Sequence, residues 1–505
     1  MACKYELALE PIPAEARHIS PPCRVSTHRS RVVDPDGPPT FWDHREAVPG
    51  IPHMTSFTEG AWTPRPLAAR VIASTHIYVL TPGRSAMLAG TTQTWIKRRI
   101  AVRQRLERIC TSSLLFLMVV TTKHSLEEAA RFSGLHPSLF SKLLKSHSRV
   151  AVTTLESLSK TQARKFAKAL ARRHGLPWKI VIIIDSTLQH RASLHPENAK
   201  TFNHGKGYVM GHQWTNIVLL LGDILIPLRP IPFSSKRYCQ THSFVYQSEH
   251  ERVVTYLRTL DLEDYIGSYD RREVLVLADS GYDNKKIEKA IGDKGWHFII
   301  ALGKTRSVKS QALSLTTPHS QQWCHIDTFF RRHRRLKWHT IRLATHGNTR
   351  KRMDIRVRHT SGSLRYVGQV ELVCSELRNR PDGRRKYLAC NDLRATARQI
   401  VIGYRLRWAV ELFHKSVKQH LGFEEVATHG FDAVISHVHW VYCAYLLLHM
   451  SPPGLSPGVQ SIGDKQRALQ QGLADQAKRH ILQQLTQIGG VQRYRDELRQ
   501  ALAGT

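Results

Sequence analysis

The 505-residue sequence contains no C-x-x-C pair, no H-E-x-x-H and no apolar run of membrane-spanning length, and it is poor in acidic residues. Each absence excludes something. The eight cysteines are scattered from Cys3 to Cys443, so they build neither a disulfide framework nor a zinc ribbon, and they suit a reducing cytoplasm. The 29 histidines follow no metal-ligand spacing and read mostly as surface or stacking residues. The most apolar runs, residues 114–120, 217–221 and 442–448, fall short of the ~18 residues a spanning helix needs, so no membrane partner is expected. No apolar signal core follows the opening Met1-Ala-Cys-Lys-Tyr-Glu. Asp and Glu total 40 against 74 Lys and Arg, a formal net charge of +34. That excess points to a polyanionic partner, nucleic acid ahead of an anionic membrane surface.

Residues 1–86 stand apart. They hold twelve of the 23 prolines, between Pro11 and Pro82, and show no apolar periodicity. The stretch reads as disordered, or as the product of a start codon called too early, since Met54, Met87 and Met118 are available. Residues 87–170 read as helical and basic, with an amphipathic helix over 94–108. Ser125 and Glu128 have capping-box spacing, Gly134 permits a tight turn, and Pro137 suits the first turn of a second helix. That helix would turn Leu139, Phe140, Leu143 and Leu144 inward and present Ser138, Ser141, Lys142 and Lys145 outward. This is a helix-turn-helix pattern, with Lys142 as a DNA contact; two packed helices without DNA are the alternative.

Strands dominate the next segment. Residues 179–185 (KIVIIID) form a short apolar run rich in β-branched side chains, the mark of a buried strand. Strands over 212–221 and 223–233 follow, joined by a tight Gly222-Asp223 turn, then a helix over 247–260. Residues 273–279 (EVLVLAD) read as a strand, 284–292 as a helix and 297–302 as a strand. This order matches an α/β, ribonuclease-H-like core in two parts, 171–303 and 392–450. Between them, residues 304–391 read as a β-rich insertion with strands at 337–344, 353–358, 364–374 and 384–390. The insertion carries basic clusters at 331–338 and 350–352. After Pro452-Pro453, a Gln-rich amphipathic tail over 451–505 is suited to packing on the core or pairing subunits.

Asp185 and Asp279 each close an apolar strand, at the sheet edge where ligands gather in α/β folds. Either could alone be a cap, and Asp283, just before a helix, reads as one. Residues 404–422 read as one helix. At ~100° per residue, Tyr404, Arg407, Glu411 and Lys418 fall within a ~60° arc, and Leu406, Val410, Phe413, Val417 and Leu421 gather roughly opposite. One face packs, and the other presents a phenol, a guanidinium, a carboxylate and an ammonium.

The spacing Y-x2-R-x3-E-x6-K at Tyr404, Arg407, Glu411 and Lys418 resembles the Y-R-E-K signature of DDE transposases from cut-and-paste insertion sequences. Asp-Ser-Thr at 185–187 and Ala-Asp-Ser-Gly-Tyr at 278–282 resemble that family's two aspartate motifs, and the likeness runs from about residue 120 to 450. It implies that Asp185, Asp279 and Glu411 are catalytic metal ligands for Mg2+, with Mn2+ able to substitute, and that Asp185 bridges two ions. It implies that Tyr404, Arg407 and Lys418 hold DNA phosphates, and that Trp338, or Trp323, stacks on a flipped base. It also implies DNA partners, the element's terminal inverted repeats and target DNA, and a homodimer in the DNA complex. A catalytically silent DNA-binding derivative and a ribonuclease-H-like nuclease are the rival readings.

Overall fold

The computed structural model describes residues 90–100, 102–168, 175–191, 196–203, 207–310, 323–333, 335–345, 348–378, 385–425, 428–450, 452–453, 461–488, 490, 492, 496 and 500. The expectation for residues 1–86 therefore lies outside the described residues, as do the side chains of the basic cluster at 350–352.

Five helices lead: α1 (Gly90–Lys97), α2 (Gln104–Val119), α3 (Leu126–Ser133), α4 (Pro137–Ser146) and α5 (Ser148–Ala167). The single helix expected over 94–108 is instead two. Arg99 folds back to donate to the Trp95 carbonyl at 3.0 Å and lies 3.8 Å from the Trp95 ring, which closes α1. At the start of α3, the Ser125 hydroxyl accepts from the Glu128 amide at 3.2 Å. Gly134 takes the left-handed conformation, φ 64°, that a side chain would resist. Phe140, Leu143 and Leu144 are buried as expected, but Leu139 is 44% exposed, beside Ser138 and Lys142 on the outward face.

The central sheet follows from its apolar runs. β1 (Ile180–His190), β2 (Lys200–Asn203), β3 (Tyr208–Leu221), β4 (Ile224–Pro227) and β5 (Ile231–Pro232) precede α6 (Lys236–Thr241) and α7 (Glu249–Thr259). Then come β6 (Val274–Ala278), α8 (Lys285–Asp293) and β7 (His297–Leu302). β1 pairs antiparallel with β3 and parallel with β6, and β6 pairs parallel with β7. The strand expected over 223–233 is interrupted, because Pro227 and Pro230 cannot donate to a ladder. β1 is longer than expected: it continues five residues past Asp185, which is thus mid-strand and not at a strand end.

The insertion extends this same sheet. β8 (Ser307–Ser310), β9 (Cys324–His325), α9 (Ile326–Arg332), β10 (His339–Thr345), β11 (Asn348–Leu364), β12 (Gly368–Leu377) and β13 (Lys386–Cys390) join it in the order β7-β13-β12-β11-β8-β9, and β10 pairs with β11. The strand expected at 364–374 straddles a turn: β11 ends at Leu364, and β12 starts at Gly368.

The chain closes with α10 (Ala397–Arg405), α11 (Trp408–His420), α12 (Phe431–His449) and α13 (Ile462–Ile488). α12 is long and apolar enough to span a membrane by length and composition, which the shorter apolar runs did not reveal; in the fold it is 89% buried, the hydrophobic centre on which α2, α4 and α5 pack. Its His437 and His439, like His124, His212 and His414, are buried. Gln466 of α13, fully buried, donates to the carbonyls of Leu117, Val120 and His420. One amide therefore ties together the C-terminal ends of two helices, α2 and α11.

Candidate active site

Asp185 and Asp279 meet because β1 and β6 run parallel in register. Ile184 pairs with Ala278, so the next residue on each chain is an aspartate. Asp279 begins the turn Ser280–Tyr282, and its carboxylate accepts from the Gly281 amide at 2.9 Å. Asp283 is not the cap of α8. Asn284 fills that place by accepting from the Lys286 amide, while Asp283 accepts from the Gly303 amide at 3.0 Å and pairs with Arg306 at 3.2 Å.

Glu411 arrives from α11, and the geometry corrects the single-helix expectation. Between α10 and α11 the backbone tightens to i→i+3 bonds: Leu406 N to Gly403 O, Arg407 N to Tyr404 O and Val410 N to Arg407 O. That winds the chain faster than an α-helix and shifts the helical wheel. Tyr404 ends the first helix fully enclosed, while Val410, Phe413, Val417 and Leu421 pack inward. Close packing sets this turn in place. A Cβ on Gly403 would lie 2.9 Å from Ile299 Cδ1 and 3.3 Å from Trp178 Cζ3, so any larger residue would have to push these side chains aside for α10 to rest on the sheet.

Arg407 sits at the turn and gathers the acids. Its guanidinium lies 3.4 Å from Asp185 Oδ1 and donates to Glu411. Burial pushes the Asp185 carboxyl up from 3.8 to about 7; Arg407 opposes the rise, and the charges of Asp279 and Glu411 add to it. Burial alone would lower the Arg407 pKa, but Tyr404, Asp185, Glu411 and Asp279 together raise it. Burial raises the Tyr404 hydroxyl.

Three residues at this site escaped sequence reasoning. Lys386 on β13 lies 5.1 Å from the Tyr404 ring; burial and Arg407 lower its pKa to about 8, against the pull of Asp279 and Glu411. His414, one turn after Glu411, places Nδ1 3.8 Å from Asp185 Oδ2, and its Nε2 accepts from Asn216 at 2.9 Å. Burial, then the charges of Lys418 and Arg407, lower the His414 pKa to about 3. In the sequence Lys386 and Asn216 are unremarkable strand residues, and His414 falls on the packing side of its helix.

The other expected residues lie apart from the acids. Lys418 donates to the Leu188 carbonyl at 2.5 Å and pairs with Glu424 at 3.1 Å, tying α11 to β1. Lys142 is exposed on α4. Trp338 is half-buried, with the guanidinium carbons of Arg358, Arg356 and Arg385 at 4.5, 5.3 and 5.7 Å from its ring; Trp323 is 44% exposed. Among the described residues, no three His, Cys, Asp or Glu side chains gather closely enough to hold a metal ion; Arg407 lies between Asp185 and Glu411.

The strand order β4-β3-β1-β6-β7, in which β3 pairs antiparallel with both β1 and β4 while β6 and β7 run parallel on the other side of β1, is compatible with a ribonuclease-H-like domain. Residues 236–447 match the family model of the transposase DDE domain. The matched stretch contains Asp279, Tyr404, Arg407, Glu411 and Lys418, and it begins after Asp185 and the helix-turn-helix segment. No curated protein matches the chain.

Proposed function

We propose that the protein is a cut-and-paste DNA transposase that binds the terminal inverted repeats of its element as a homodimer, cleaves there and joins the freed 3′-hydroxyl to target DNA. The observation that carries this reading is the approach of Asp185, Asp279 and Glu411 from two parallel strands and a helix, with Arg407 between Asp185 and Glu411, in a chain whose residues 236–447, which include Asp279, Arg407 and Glu411, match a transposase DDE domain.

Three carboxylates are hard oxygen donors, the chemistry Mg2+ and Mn2+ prefer. Burial raises the Asp185 pKa, a cost to its anion that a bound cation would offset. Asp185, Asp279 and Glu411 would hold divalent ions. Such ions activate the attacking water or hydroxyl and stabilise the leaving oxygen. Arg407 would exchange its carboxylate partners for a backbone phosphate as the ions enter, its fork suiting bidentate phosphate contact, and Lys418 would hold a second phosphate. Tyr404 supports Arg407 from within the core. Lys142 and Ser138 on α4 would read bases in the major groove. Trp338, among arginines on the insertion, would face DNA near the cleaved end.

The test is genomic and biochemical together. The gene should lie between short inverted repeats bounded by direct repeats, and the purified protein with Mg2+ should nick a duplex ending in that repeat at the repeat boundary. Binding without nicking would favour a silent derivative. Nicking hybrids or junctions regardless of the repeat would favour a nuclease.

A further inference from the structure

Behind Asp185 lies a polar chain that the proposed chemistry does not use. Asp185 faces Asn216 across the β1–β3 pair. Asn216, His414 and Tyr442 are all buried. The Tyr442 hydroxyl donates to Asn216 Oδ1 at 2.8 Å, which fixes the amide so that its NH2 meets His414 Nε2 at 2.9 Å. An amide NH2 can only donate, so Nε2 accepts, and the single imidazole proton must reside on Nδ1. That N–H is the group 3.8 Å from Asp185 Oδ2, while Arg407 lies 3.4 Å from Oδ1. The two oxygens of one carboxylate therefore face different partners: the Arg407 guanidinium on one, and a neutral N–H locked by a buried relay on the other.

We infer that His414 is a positioning residue: the Tyr442–Asn216–His414 relay orients Asp185 through Oδ2 and leaves Oδ1 to take a divalent ion. At 3.8 Å the contact is a charge–dipole interaction and not a hydrogen bond, but in a buried site it suffices to bias a carboxylate rotamer. Partners of this kind behind metal ligands change metal affinity by about 10–100-fold when removed. The inference rests on the reading of Asp185 as a metal ligand.

The experiment is Mn2+ titration of the full chain by calorimetry, with melting temperatures recorded alongside, for wild type, Asp185→Asn, His414→Phe, His414→Asn, Tyr442→Phe and the His414→Phe/Tyr442→Phe double variant. Asparagine keeps a donor where Nδ1 stands; phenylalanine keeps the packing alone. Expected are an affinity loss of about tenfold or more for His414→Phe, within about threefold of wild type for His414→Asn, and a smaller loss for Tyr442→Phe that adds nothing in the double variant. Wild-type affinity in His414→Phe, with Asp185→Asn binding abolished, overturns the relay and leaves the metal centre standing. A wild type that takes up no Mn2+, or an Asp185→Asn variant that binds as tightly, overturns the metal-centre reading and the relay with it.

Discussion

The guanidinium of Arg407 lies 3.4 Å from the Asp185 carboxylate. The same group donates to Glu411, so one cation from the α10–α11 turn neutralises acids from a strand and a helix. With Lys386 also close enough to feel Asp279 and Glu411, that arrangement reconciles three acids with a part-buried site.

If Arg407 is released to a DNA phosphate, its charge should be visible in salt dependence. Arg407→Gln is expected to weaken binding to an element-end duplex equally for all base sequences, and to lower the slope of log affinity against log salt by about one unit. Lys418→Gln should do the same and also lower the melting temperature, because it loses its bonds to the Leu188 carbonyl and Glu424. A salt titration of both variants beside wild type checks this; unchanged slopes would remove the phosphate contacts.

Asp185 makes stability depend on pH. Its carboxyl holds its proton up to about pH 7 when folded, against 3.8 ordinarily. The folded chain therefore binds the proton more tightly than the unfolded chain does. The stabilisation is complete below pH ~4 and is lost as pH rises through about 7. Asp185→Asn has no such loss. In chelator, its stability relative to wild type should climb between pH 5 and 8, by roughly 1–3 kcal/mol at the upper end. Urea melts at three pH values measure the difference, and a flat difference would contradict the assignment.

Gly403 tests the packing that positions Tyr404 and Arg407. Its Cβ would lie 2.9 Å from Ile299 Cδ1 and 3.3 Å from Trp178 Cζ3, inside the core. Gly403→Ala is expected to cost about 1–3 kcal/mol, as overpacking does, despite alanine's better helix propensity. It should also depress DNA cleavage more than DNA binding, because the displaced turn carries Arg407. Denaturant melts and a cleavage assay check both halves; a stabilised variant would show that α10 is loosely seated.

Much of this was legible in the sequence, and the limits have physical causes. The apolar runs at Ile180–Ile184, Val274–Ala278 and His297–Leu302 announce buried strands, since little but a strand covered on both faces buries such short unbroken stretches. Asp185 and Asp279 were legible as a pair for the same reason, though β1 runs past Asp185, pairing with β3 as far as His190, and Gln189 is held there by the Phe423 carbonyl and the Trp214 indole. The break at Arg407 was not legible: a helical wheel assumes uniform winding, and the tight i→i+3 turn is set by tertiary pull on Arg407 and by close approach at Gly403. Lys386, Asn216 and His414 join the site only through the β13, β3 and α11 packing, which no local pattern encodes.

The most direct measurement is metal-dependent cleavage of an element-end duplex by Asp185→Asn, Asp279→Asn and Glu411→Gln. Each variant exchanges a carboxylate for an amide of the same shape, so packing is kept while the anionic donor is lost. The account predicts that each variant binds the duplex nearly as wild type does and produces no detectable nicks in Mg2+ or Mn2+. Wild-type cleavage by any one of the three would contradict it and remove that residue from the site.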